Sequence, residues 1–272
     1  MVTKTLGVNS AQLLTKLAAK NKHVFTVADA QEILGVSYNA TLLALRRLTE
    51  AGWLVRLMPG HYAIVPLSSG DIANPQINRY VIGRELMGET PYYFSHESAL
   101  DIHNILTRPV TRVIVTTTRR LKERKILNVP YRFVYASQAS IWGYDLHWVT
   151  PYEQVYVSDL ERTILDCINR PELCAGISQL AVGLWIAKDD IEWDLLGHYA
   201  QKIGRNSVAQ RLGYLLELFD LGSSSLIEDL QRMVASHYVN LDPMLPDQGP
   251  YISRWRLRLN IEPDSLESIV RT

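Results

Sequence analysis

The chain has 272 residues, 47% of them hydrophobic, enough to bury a sizeable core and form two domains. Its 28 Lys and Arg balance 28 Asp and Glu, which argues against a protein that holds nucleic acid by bulk charge but leaves room for local basic patches. No apolar run reaches the roughly 18 residues a membrane-spanning helix needs.

The first twenty residues, MVTKTLGVNSAQLLTKLAAK, lack the continuous apolar stretch of a secretory signal and read as an amphipathic helix. Residues 26 to 66 carry the densest signal. Thr26 caps a short helix whose apolar stripe is Val27, Ala30, Ile33 and Leu34, and Gly35 ends it. Ser37 caps a second helix that runs to about Ala51 and stops at Gly52. Trp53 to Met58 then forms a strand, Pro59-Gly60 a tight tip, and His61 to Val65 the returning strand. Helix, turn, helix and hairpin in that order predict a winged helix-turn-helix, whose second helix enters the major groove of DNA.

Stepping about 100° per residue around the second helix puts Thr41, Leu42, Leu45, Leu48 and Thr49 on one side. Asn39, Leu43, Arg46, Arg47 and Glu50 fall opposite. An amide suits adenine edges, and guanidinium groups suit guanine edges or phosphate oxygens. Paired arginines also serve simply to solvate a helix face. Ser37 and Tyr38, at the helix start, are candidates for phosphate or base contact, with inward packing as the other reading of Tyr38. Arg56 and His61 on the wing reach the DNA backbone or minor groove, or face water.

Residues 69–90 read as a linker with a helix from about Gln76 to Met87, separating a domain of residues 1–68 from one of residues 91–272. The second domain opens with extended Pro91 to Phe94 and a helix after Ser95 through His103. Arg112 to Thr117, Tyr131 to Tyr135 and Tyr152 to Val157 are strand candidates. Arg112, Arg119, Arg120, Lys122, Arg124 and Lys125, with Arg108 before them, form a candidate basic patch; a solvated loop would show the same composition. Ser158-Asp159-Leu160-Glu161 is a capping box opening a helix to about Asn169. Helices are expected at Ile177 to Ala187, Ile191 to Ile203, Ser207 to Phe219 and Ser225 to Tyr238, followed by a final strand with Arg254, Arg256 and Arg258 on one face. The fold class is therefore mixed α/β (α+β): a winged helix, then an α/β domain with a helical carboxy-terminal half.

Catalytic patterns fail one by one. His96-Glu97 lacks the second histidine of a zinc helix, and His96 and His103 are spaced like any two-turn stripe. There is no Walker loop, dinucleotide fingerprint or nucleophile elbow. Gly222-Ser223 is not followed by the paired aspartates of a nucleotidyltransferase. Asp159, Glu161, Arg162 and Asp166 carry enough charge for phosphoryl chemistry, but capping and surface ion pairs account for them, since consecutive helix positions do not converge. Cys167 and Cys174 fit no common zinc spacing and are expected as buried thiols in a reducing cytoplasm. We expect no catalytic residue, metal or cofactor; the competing reading is a nucleotide- or nucleic-acid-processing enzyme that docks through its winged helix.

Between about residues 5 and 235 the chain resembles the AbiEi antitoxins of type IV toxin–antitoxin, or phage-defence, systems. The resemblance is carried in order by LTEAGWLVRLMPGHYAIV, YYFSHESALDIHNIL, the basic β segment, VSDLERTILDCINRPELCAGI and RLGYLLELF. It implies repression of the protein's own operon through inverted repeats in double-stranded promoter DNA. It also implies a carboxy-terminal domain that counters a nucleotidyltransferase-like toxin, in many members without a tight complex. On it, Ser37, Tyr38, Asn39, Arg46 and Arg47 match the recognition helix, and Arg108 to Lys125 a positively charged face. Residues 240–272 match no motif.

Overall fold

The structure, a computed structural model, describes residues 6–66, 75 and 77–271. The amino-terminal elements are α1 (Val8–Ala19), β1 (Val24–Thr26), α2 (Val27–Leu34), α3 (Tyr38–Glu50), β2 (Leu54–Met58) and β3 (His61–Ile64). Then come α4 (Arg79–Met87), β4 (Tyr92–Phe94), α5 (Glu97–Ile102), β5 (Val113–Thr117), β6 (Arg124–Ile126), β7 (Val129–Tyr135), β8 (Tyr144–Thr150) and β9 (Glu153–Ser158). The remainder is α6 (Leu160–Asn169), α7 (Ile177–Ala187), α8 (Trp193–Ile203), α9 (Asn206–Leu218), α10 (Ser224–Arg232), β10 (Val239–Asn240), β11 (Tyr251–Ile252), β12 (Leu257–Arg258) and α11 (Pro263–Arg271). The fold is mixed α/β, with a helical carboxy-terminal half.

Two compact units emerge, one of Met1–Thr90, Leu121–Arg132 and Trp148–Val155, the other of Pro91–Arg120, Phe133–His147 and Tyr156–Thr272. The stretch expected as a linker contributes α4 to the first; Gly70, Asn74 and Gln76 lie outside the described residues.

In the first unit, β3 pairs antiparallel with both neighbours in the order β1-β3-β2, Val24 facing Ala63 on one side and Val55 facing it on the other. The α2 entry is a capping box: Thr26 Oγ1 accepts from the Asp29 N–H, and Asp29 Oδ2 accepts from the Thr26 N–H. Gly35 closes α2 at φ 65°, a left-handed conformation glycine adopts without a Cβ penalty. Leu13 and Leu17 of α1, Ala30 of α2, Leu45 and Leu48 of α3, and Phe25, Leu54 and Tyr62 of the strands meet in one core. Each of the larger side chains stabilises the module by about 1.5–3 kcal/mol through removal from water.

The longer sheet runs β6-β7-β5-β4-β9-β8. Strand β4 is antiparallel to β5, with Tyr93 opposite Thr116, and parallel to β9, with Phe94 opposite Val157. Both β4 and β5 are buried along their whole length. Helices α6 to α9 supply most of the second unit's core, including Ile164, Leu165, Leu180, Leu184, Leu212 and Leu215. The tail joins the same core through Trp255, Leu257, Leu259 and Leu266, giving residues 240–272 a packing role.

Several local expectations need correction. Ser158 does not cap α6: it ends β9, buried, with its hydroxyl against that of Thr163, while Asp159 accepts from the Arg162 N–H. Glu161 accepts from the Glu192 N–H instead of reaching back to the cap. Arg254 and Arg256 are not strand residues, because a turn between β11 and β12 inserts Trp255 into the core. Helix α10 ends at Arg232, and the Met233 carbonyl just beyond it accepts from Asn206 Nδ2.

Candidate nucleic-acid interface

Helix α3 is set by what it buries. Thr41, Leu45 and Leu48 lock it to the core, and Ser37 Oγ accepts from the Ala40 N–H at its start. Asn39, Leu43, Arg46, Arg47 and Glu50 are all exposed, the division that the helical period predicts. Tyr38 is 55% exposed, so it points outward rather than packing inside. Ser37 is exposed too, though its oxygen serves the helix cap. Arg46 Nε donates to Glu50 Oε1 at 2.7 Å across one turn, in an ion pair open to solvent on both sides. Such a pair is screened, and its guanidinium can exchange a carboxylate for a phosphate or base edge. A helix thus presents an amide, two guanidiniums and a phenol on one solvent face.

The wing follows directly. Strands β2 and β3 pair antiparallel with a register shift between Arg56 and Met58, and Gly60 takes φ 80° at the tip, which a Cβ would strain. Arg56 is exposed on β2. His61 opens β3 with Nδ1 3.2 Å from the Pro59 carbonyl, which holds the ring against the tip.

Residues 12–65, from within α1 to the end of the hairpin, match the model of a family described as "Transcriptional regulator, AbiEi antitoxin". The amino-terminal module is thus similar to that family over about a fifth of the chain. The further motifs near residues 92–106, 157–177 and 211–219 lie outside that match. The crystal structure of the RV2827C protein from Mycobacterium tuberculosis is similar in fold, with a TM-score of 0.72 at 17% identity over 99% of this chain and 97% of that one. No curated protein matches the chain.

Beyond the matched residues 12–65, the basic stretch divides. Arg112 does not lie in a free patch: its Nε donates to Glu97 Oε2 at 3.1 Å and its Nη2 to the Glu172 carbonyl, while Arg108 pairs with the other Glu97 oxygen. Glu97 is 1% exposed, and a carboxylate so buried requires such partners. Arg119 and Arg120 are exposed in the second unit, with Arg120 stacked over Tyr135 at 4.1 Å. Lys122, Arg124 and Lys125 are exposed in the first.

The acidic group suspected of phosphoryl chemistry is not a surface cluster but a set of half-buried and buried groups. Arg162 Nε donates to Asp166 Oδ1 at 2.9 Å, and the Tyr93 hydroxyl to Asp166 Oδ2 at 3.3 Å. Asp159 caps α6 and accepts from the Tyr199 hydroxyl at 3.0 Å; Glu161 serves the Glu192 amide. Arg162 thus meets two of the carboxylates, Asp159 through its backbone N–H and Asp166 through its guanidinium, while Glu161 serves a different segment. Burial raises all three above the ordinary carboxylate range, with Arg162 pulling Asp166 back. Burial and the neighbouring Asp159 push the Tyr199 phenol up to about 12.

His96 Nδ1 meets Ser95 Oγ, and His103 Nε2 meets the Ser158 carbonyl, so the two rings face different partners. Among the described residues no group of three His, Cys, Asp or Glu could hold a metal ion. Cys167 and Cys174 are buried free thiols. Among the same residues no helix is long and apolar enough to cross a membrane.

Proposed function

We propose that this protein is a cytoplasmic DNA-binding repressor of its own operon and the antitoxin of a type IV phage-defence system. On this reading it binds inverted repeats in promoter DNA through α3 and the wing. Its second unit counters a nucleotidyltransferase-like toxin, an action that does not require a stable complex. The observation that carries the reading is the outward face of α3, where Asn39, Arg46 and Arg47 stand clear of the core within the AbiEi-like segment. Groove width and helix diameter suit one another, and these side chains are of the types that read base edges and phosphates.

The test is a mobility-shift titration with a duplex from the chain's own promoter. Binding is expected at nanomolar to micromolar protein and should weaken as salt rises, since each cation seated on a phosphate releases a counterion. Arg46→Ala with Arg47→Ala should lower affinity by about tenfold or more. Unchanged affinity in that variant would remove α3 from the interface. For the antitoxin half, co-expression with a neighbouring nucleotidyltransferase-like reading frame should restore growth, and loss of rescue on deleting the second unit is the expected control.

We read the chain as non-enzymatic, a view supported by the structural hydrogen bonds that already engage Asp159, Glu161 and Asp166. Magnesium-dependent turnover of nucleotides or DNA that Glu161→Gln abolishes would overturn it.

A further inference from the structure

The second unit holds a cleft of about 480 Å³ whose wall combines Tyr93, Trp142, Arg162, Asp166, Lys202 and Arg205, with Arg170 beside them. That is four cations against one carboxylate, and the carboxylate is already engaged by Arg162 and Tyr93. The cations come from two places in the chain: Arg162 and Arg170 at the two ends of α6, Lys202 and Arg205 around the junction of α8 with α9. Trp142 draws two of them together, with the Arg162 guanidinium carbon and Lys202 Nζ each 4.0 Å from its ring centroid. Cation–π attraction of this kind fixes both groups at the wall, but it cancels no charge.

Arg162 is the informative residue. It is 7% exposed; Nε is spent on Asp166 and Nη2 donates to the Ser140 carbonyl at 3.4 Å, whereas Nη1 is buried with no acceptor. An unpaired buried donor leaves the positive charge of Arg162 under-compensated, which favours an anion at the cleft wall, where Nη2 is the partly buried donor. Arg205 is also the N-cap of α9, a 13-residue helix with no side-chain cap, which adds the positive end of a helix dipole. Among the three outer cations Arg170 is the most engaged, since its Nε donates to Glu172 at 2.8 Å.

We propose that this cleft binds the phosphoryl group of a small phosphorylated ligand, with Arg162 as the buried anchor and Lys202, Arg205 and Arg170 as the outer cations. A planar guanidinium and a dianionic phosphoryl oxygen set match in geometry as well as charge. The volume lies within the ~300–1,000 Å³ of small-molecule sites, room for a nucleoside monophosphate as well as a free phosphate. The site belongs to the second unit and stands independently of promoter binding.

Isothermal titration of the full chain with inorganic phosphate, AMP and adenosine tests this. Saturable binding of phosphate and AMP, with adenosine much weaker than AMP, is the expected result. Tighter binding of AMP than of phosphate would make the natural ligand nucleoside-borne, and equal binding would make it phosphate itself. Lys202 and Arg205 are exposed, so Lys202→Glu and Arg205→Glu should keep the parent's thermal melt while weakening phosphate binding by about tenfold or more. Arg162→Lys, which retains charge but loses the fork, should weaken it as well. Absence of saturable binding by both phosphate and AMP, adenosine binding as tightly as AMP, or outer-cation variants binding like the parent would each overturn the proposal.

Discussion

Thr26 and Asp29 each satisfy a backbone donor of the other, and the turn into α3 depends on the helix they start. Thr26→Ala should lower stability by about 1 kcal/mol, read by urea denaturation. Asp29 adds a pH signature. Partial burial works against its ionisation, but Lys22 Nζ at 2.8 Å and hydrogen bonds from Thr26 outweigh it and hold the carboxyl below its usual range. A depressed pKa in the folded state means stability that is present at neutral pH and lost as pH falls through the folded value. The gap in melting temperature between the parent and Asp29→Ala should therefore be widest near pH 7 and close below about pH 4. A gap that persists unchanged into acid would show the carboxylate charge to be irrelevant to the cap.

At the scale of elements, α9 makes an unusual demand. A Cβ on Gly213 would lie 2.1 Å from the Trp255 ring, so the helix is notched to receive an indole from the tail. Gly213→Ala gains about 1 kcal/mol of helix propensity, yet overpacking a rigid buried ring costs about 1–3 kcal/mol or more. The second effect should win, giving a lower denaturation midpoint despite the better helix former. Glu217 marks the same docking, accepting from Trp255 Nε1 and from Arg254. This is also where sequence periodicity fails. SRWRLRLN alternates like a strand, but burying one tryptophan outweighs the pattern and bends the segment into a turn. Strand β1 escapes notice because three residues carry no period, and β8 because it leaves Leu146 and Trp148 in solvent. Helices α2 and α3 were legible because one apolar face, a capping residue and a following glycine agreed at each. The exposed face of α3 follows from the same periodicity. The cationic cleft did not, since its members are scattered along the chain and Arg162 reads locally as a salt-bridged helix residue.

Across the whole molecule, charges balance to zero, and among the described residues the core of the second unit depends in part on a tail without a recognisable motif. Deleting residues 240–272 removes Leu241, Trp255, Leu257, Leu259 and Leu266 from that core. It also strips partners from buried polar groups: Arg211 donates to the Asn240 carbonyl, Gln210 to that of Arg256, and the Ile177 N–H to Asp242 Oδ2. Lost burial and orphaned donors act in the same direction, each buried side chain being worth about 1.5–3 kcal/mol, against a total stability of only about 5–15 kcal/mol. The second unit should lose cooperative unfolding altogether. The core of the winged helix draws on none of these residues, so the deletion variant should keep a folded amino-terminal module. Calorimetry should then show the second unit's transition gone and the amino-terminal module's own transition retained. A variant that unfolds like the parent would mean that the tail is an appendage and that Trp255 contributes little to the core it fills.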